Sequence, residues 1–191
     1  MSVCIYAEIK KASTQTLTFG MGVDCASFDI PNHRVGQDLR IGELVFDTLI
    51  TLDENLNYVP SLATSWEQKD DLTWIFNLRK GVKFTDGTPF NAEAVKINLE
   101  RASETLKGPT FLYMLSTVNI LDDYKVEIKL KYPSAPFISN LTDIVTAILS
   151  PASIEKYGDE LFQNPQGTGM FKLEKEEWEP GLQIVFTRNE D

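Results

Sequence analysis

The stretch 59–90, VPSLATSWEQKDDLTWIFNLRKGVKFTDGTPF, constrains the fold more than any other part of the chain. In it Trp74, Phe76 and Leu78 alternate with Thr73, Ile75 and Asn77. A period of two places the three large apolar side chains on one face of a sheet. A second strand pattern precedes this one, and the segment EQKDD (67–71) reads as the turn between them. Gly81 and the pair Asp86-Gly87 mark further turns. Asn91 then stands where a side-chain cap opens a helix at Ala92.

The rest of the chain reads as alternating strands and helices. Residues 16–20 suggest a short buried strand. Residues 37–50 form a helical pattern, with Ile41, Leu44, Val45, Thr48 and Leu49 on one face. The helix after Asn91 buries Ala92, Val95, Leu99 and Ala102, turns Arg101, Glu104 and Lys107 outward, and breaks at Gly108-Pro109. A short helix is expected over 110–117. Strands at 118–121 and 124–130 flank Asp122-Asp123, the second with Val126, Ile128 and Leu130 on its buried face. A short helix follows at 137–141, then a buried strand over 144–149. The next helix, 151–157, starts with Pro151 and is capped by Ser150. Runs at 171–178 and 182–187 read as a hairpin, with Leu182, Ile184 and Phe186 sharing a face.

Charge and motifs exclude several functions. Eighteen basic against 28 acidic side chains give a net charge of −10. Nucleic acid or an anionic membrane surface demands a basic patch instead. No apolar run reaches the roughly 18 residues of a spanning helix. His33 is the single histidine, and no nucleophile elbow, zinc-ligand spacing or phosphate-binding loop is present. These absences point away from an enzyme, a resident metal and a cofactor. Gly20-Met21-Gly22 is not a dinucleotide fingerprint, because Cys25 stands where the third glycine belongs. Cys4 and Cys25 form no disulfide framework; they either bridge outside the cytoplasm or leave Cys25 free and buried.

The ordered series L-A-x-S-W-E, an acidic segment, L-T-W-x-F-x-L-R-K-G-V-K-F and D-G-T-P-F-x-A-E closely resembles the family 5 extracellular solute-binding proteins of ABC importers. That family includes dipeptide-, oligopeptide-, glutathione- and nickel-binding proteins. The similarity extends from Thr16 to Asp191. It implies an α/β (mixed α+β) fold of the periplasmic-binding-protein-like class II. This chain would hold the first lobe with its extra subdomain, the second lobe being absent. Residues 1–15 would be an N-terminal tail, 16–46 and 166–191 segments of the first-lobe main sheet, and 47–165 the extra mixed-sheet subdomain.

The resemblance also implies a function. The chain would be an N-terminal fragment of the substrate-binding component of an importer for peptides or nickel chelates. The alternative is a stand-alone interaction lobe that no longer binds a transported solute. Implied partners are a small peptide or metal-chelate ligand and a membrane permease, with a monomer at full length. The implied location is extracytoplasmic, in the periplasm or lipid-anchored at the outer face of the cell membrane. Residues 1–15 show no export signal: the apolar run is short, and Glu8, Lys10 and Lys11 follow it.

Two loops that face the cleft in such proteins correspond to Asn32, His33, Arg34, Val35 and Gly36, and to Thr110 with Phe111 and Tyr113 nearby. Arg34 either pairs with a ligand carboxylate or lies exposed on the surface. His33 either touches a ligand or metal complex or faces solvent. Thr110 stands where peptide binders can carry tyrosine. Gly167-Thr168-Gly169 matches the family's G-T-G-P-F crossing with Met170 for the proline. It implies a structural crossing rather than an anion cradle.

Overall fold

The period-two alternation at 73–78 is realised as the strand it implies, inside a chain whose computed structural model describes residues 16–190 apart from 19, 23, 34 and 35, with the backbone alone for Gln37. In chain order the elements are helix α1 (Gly36–Val45), strands β1 (Ile50–Leu52), β2 (Tyr58–Pro60), β3 (Ala63–Asp70) and β4 (Thr73–Leu78), and helices α2 (Ala92–Glu104) and α3 (Pro109–Leu112). Strands β5 (Leu115–Asp122) and β6 (Lys125–Leu130), helices α4 (Phe137–Asn140) and α5 (Pro151–Tyr157), and strands β7 (Phe171–Leu173) and β8 (Phe186–Arg188) follow.

Strands β3, β4, β6 and β5 form a four-stranded antiparallel sheet in that spatial order. Trp66, Phe76, Val126 and Ile120 lie in one cross-strand row. Phe76, Leu78, Val126, Ile128 and Val118 face a core closed by α2 and α4, with Trp66 and Trp74 packed on its edge. Phe137 from α4 meets both Trp74 and Phe76 edge-on or tilted, at ring separations of 5.7 and 6.5 Å, within the range where aromatic pairs attract. Asn91 caps α2 as its position implies, its carboxamide oxygen accepting from Ala94 N–H at 3.0 Å. Ala92, Val95, Leu99 and Ala102 are buried.

A second core gathers Phe28, Ile30, Ile41, Val45, Phe46, Val145, Leu149 and Leu161, with Trp178 and Phe186 packed on it. Phe28 is its centre, meeting Phe46, Trp178 and Phe186 edge-on. The chain crosses between the cores at the end of α1. There the Gly169 N–H donates to Val45 O at 2.9 Å. A Cβ on Gly167 would lie 2.0 Å from Val45 O, and one on Gly169 would lie 2.5 Å from Val45 C. Only glycine allows backbones this close, so 167–169 is a structural crossing.

Several expectations need correction. Residues 16–18 and 20 are exposed and belong to no strand; nothing among the described residues pairs with them. Helix α1 stops at Val45, because the crossing segment bonds its last carbonyl. Thr48 and Leu49 stay buried, but Leu49 joins the other core. The segment 67–71 is mostly strand: Glu67 and Gln68 pair with Ile75 and Trp74, which leaves Asp71-Leu72 as the loop. The helix over 110–117 is the single turn α3, and β5 already begins at Leu115.

Residues 144–149 are buried without being a strand. Ile144–Thr146 forms a 3-10 turn capped by the Asp143 carboxylate, which accepts from Val145 N–H. The hairpin over 171–187 pairs Phe171 with Arg188 and Leu173 with Phe186, is interrupted by a 3-10 turn at Lys175–Glu177, and closes with a bridge between Glu179 and Gln183. Leu182 does not share the buried face of Ile184 and Phe186; it is 76% exposed at the tip.

Candidate functional site

The turn at 27–33 is built from its own backbone. Asp29 N–H donates to Ser27 Oγ at 3.0 Å, and the Asp29 carbonyl accepts from the N–H groups of Asn32 and His33. The side chain of Asp29 then reaches outside the turn. Its Oδ2 accepts from Arg101 Nη2 on α2 at 2.7 Å and from Asn32 Nδ2 at 2.7 Å. Arg101 therefore does not point outward. The ion pair it makes is well shielded, with side-chain exposures of 22% for Arg101 and 12% for Asp29.

Asn32 completes the link. Its Oδ1 accepts from Leu106 N–H at 3.3 Å, while Lys107 N–H donates to Pro31 O at 2.9 Å. The loop that opens α1 is thus fastened to the segment that closes α2. Gly108 is required there, since a Cβ would sit 1.7 Å from Ala102 O. Thr110 is exposed on α3. Phe111 is half-buried and packs against both cores, and Asn140 Nδ2 donates to its carbonyl at 2.9 Å. Tyr113 is 44% exposed and lies tilted against the equally exposed Tyr132, ring centroids 6.1 Å apart.

The structure brings Asn32 against Leu106, four residues before Thr110, while the His33 ring lies 3.8 Å from Asp38. Gly36 is exposed at the start of α1. Arg34 and Val35 lie outside the described residues, as do Cys4 and the whole of 1–15. Sequence reading missed Asp29, Arg101 and Asp38 as parts of this site. No periodic signal marks an ion pair between residues so far apart in the chain.

Electrostatics here are dominated by buried carboxylates. Asp38, in the first turn of α1, is 1% exposed. Its Oδ1 accepts from Ala26 N–H at 2.8 Å, while its Oδ2 has no hydrogen-bond partner among the described residues and lies 3.8 Å from His33 Nδ1. Asp29 Oδ1 is likewise buried, with no hydrogen bond among the described residues. The nearby Cys25 thiol is free and buried. Burial, then the Asp38 charge, pushes its pKa up to about 12. Such a thiol is a packing group rather than a nucleophile. Among the described residues, no group of three or more His, Cys, Asp or Glu side chains could hold a metal ion. No described helix is long and apolar enough to cross a membrane.

Two open grooves flank a second polar centre at the crossing between the cores. One, of about 340 Å³, is lined by Asp47, Ser61, Arg79, Lys80 and Thr168 among others. The other, of about 280 Å³, shares Asp47 and Thr168 and adds Met170, Arg188 and Asn189. Thr168 Oγ1 donates to Asp47 Oδ2 at 2.8 Å between them. Burial raises the Asp47 pKa, opposed by the Thr168 hydroxyl and by Arg79.

Comparison with known proteins gives this geometry its context. Residues 57–191 match the model of the bacterial extracellular solute-binding proteins, family 5. A glutathione-binding protein of Escherichia coli O1:K1 is 40% identical over 138 residues, 70% of this chain and 27% of that protein. The chain therefore spans about a quarter of the length of the curated relatives it matches. The structure of a nickel ABC transporter protein from Bacillus halodurans is 32% identical, with a TM-score of 0.73, over 87% of this chain and 33% of that one. An ABC transporter-associated periplasmic binding protein from Helicobacter pylori, solved in complex with a peptide, is 26% identical, with a TM-score of 0.75, over 89% and 38%. The chain belongs to the family 5 extracellular solute-binding proteins of ABC importers.

Proposed function

We propose that this chain is the first lobe of an importer's substrate-binding component, and that its ligand is a short peptide of the glutathione class. Residues 16–46, which contribute α1 and no described strand, and 166–191 then belong to the main-sheet part of the lobe and 47–165 to its extra subdomain. Asn32, His33, Arg34, Val35 and Gly36, together with Thr110, Phe111 and Tyr113, face the ligand. The observation that carries the reading is the 40% identity to a glutathione-binding protein over 70% of the chain. The hydrogen bonds from Leu106 N–H to Asn32 Oδ1 and from Lys107 N–H to Pro31 O support it.

A nickel chelate is the second reading, favoured by the 32% identity to the Bacillus halodurans nickel protein. In that reading the metal is cargo held by its chelator. Either way the protein works outside the cytoplasm, free in the periplasm or anchored at the outer face of the membrane, hands its ligand to a membrane permease, and carries out no catalysis.

A clamp needs two jaws to bury a ligand, and one lobe alone holds it weakly. Calorimetry on the protein purified from its own cells tests the reading with reduced glutathione, alanyl-alanine and nickel–histidine as titrants. Tight binding of glutathione or the dipeptide supports the peptide reading, and tight binding of nickel–histidine alone selects the chelate. No heat with any of the three, alongside capture of a protein partner, would point instead to a stand-alone interaction lobe.

A further inference from the structure

We propose that Arg101 is a positioning residue for ligand capture: through Asp29 it sets the place of the turn carrying Asn32 and His33. This rests on the reading above that this turn faces the ligand. Arg101 holds Asp29 Oδ2 at 2.7 Å, the same oxygen that takes the Asn32 amide. The Asn32 carboxamide in turn receives Leu106 N–H, and Lys107 N–H closes on Pro31 O. The arrangement joins α2, packed in the first core, to a turn whose Phe28 and Ile30 are buried in the second.

Among the described residues, two further ion pairs of lysine with glutamate are local. Lys96–Glu100 and Lys129–Glu127 each lie within a single element, with 40% and 43% exposure for the first pair. An exposed pair such as Lys96–Glu100 contributes little. A shielded, charge-assisted pair that shares its acceptor with a neighbouring amide is stronger and more directional. Its loss leaves Asp29 as a buried carboxylate with only the Asn32 amide, and the turn must move to rehydrate it.

The test uses Arg101→Met and Arg101→Lys, in the 191-residue chain and in the protein as it occurs in its own cells. In the chain, Arg101→Met is expected to speed amide exchange about tenfold or more at Asn32, His33, Leu106 and Lys107, with Val126 and Ile128 in the sheet unchanged. Arg101→Lys, which keeps the charge, should restore most of that protection. In the cell-derived protein, Arg101→Met should weaken reduced glutathione binding about tenfold, with recovery in Arg101→Lys.

Asn32→Ala is a second variant that leaves the ion pair in place; it should loosen Leu106 and Lys107 alone. Unchanged exchange at the four amides overturns the proposal. So does a uniform rise that includes the sheet, or a loosened loop with full affinity. If the unmutated protein binds no glutathione, the peptide reading fails by itself, and the exchange pattern decides the role of Arg101.

Discussion

Asn98 on α2 makes both hydrogen bonds of a peptide pair with Leu149: its Oδ1 accepts from Leu149 N–H at 3.0 Å and its Nδ2 donates to Leu149 O at 2.7 Å. The same Nδ2 also donates to Ala94 O at 2.8 Å. A buried side chain thus replaces the neighbouring strand that the 144–149 run lacks, and satisfies backbone groups that could not otherwise be buried. Asn98→Ala strands both Leu149 groups and should cost about 3 kcal/mol in urea unfolding. Asn98→Asp should cost more, because it cannot donate to Leu149 O and brings an unpaired charge inside. A loss under about 1 kcal/mol for the alanine variant would remove this role.

The crossing glycines make a steric prediction. Gly167→Ala places a methyl 2.0 Å from Val45 O, and backbone cannot give way as a side-chain tip can. The variant should lose more than about 3 kcal/mol or fail to fold. Gly36→Ala, whose Cβ meets nothing within 4 Å at a helical position, is the control and should unfold like the unmutated chain. Equal melting temperatures for the two variants would contradict the crossing.

Much of this fold is legible in the sequence because local chemistry decides the element there. The alternation at 73–78, the Asn91 cap and the Ser150–Pro151 helix start are each fixed by neighbours a few residues away. The D-G-T-P turn is half legible. Gly87 takes φ +83°, as its residue type suggests, but the Asp86 carboxylate also accepts the Ser150 hydroxyl that caps α5, a contact no period shows. The run 144–149 misleads because a continuous apolar stretch signals burial without saying what pairs its backbone. At the candidate site the loop residues follow from family resemblance, whereas Arg101 reads as surface until Asp29 is placed beside it.

Acidification tests Asp47. Its carboxyl pKa is raised in the folded chain, mainly by burial. The folded state therefore holds that proton more tightly than the unfolded one, and this group adds stability as pH falls through its raised pKa. Asp53 and Asp70 act oppositely. Hydrogen bonds lower their folded pKa values, so their contribution is present at neutral pH and fades as they protonate. Asp47→Asn mimics the protonated group. It should melt at or above the unmutated chain at pH 7, with the difference closing as pH falls into the carboxylate range. A gap that widens in acid would reverse the assignment.

Cys25 provides a chemical check on the second core. With its pKa pushed up to about 12 and its side chain buried, the thiol should not react with iodoacetamide at pH 8 in the folded chain. In a Cys4→Ser background, labelling should appear only with unfolding in guanidinium. Rapid labelling of the native chain would mean that the packing around Phe28 and Ile41 is open.

Native mass spectrometry of the protein taken from its own cells addresses the central claim most directly, that this chain serves an importer's solute-binding protein. The account predicts a mass more than twice the 21.6 kDa of this chain, recovered from an extracytoplasmic or membrane-anchored fraction, with a bound species of peptide or chelate mass. A ligand-free species of 21.6 kDa would contradict it and leave a lobe that acts alone.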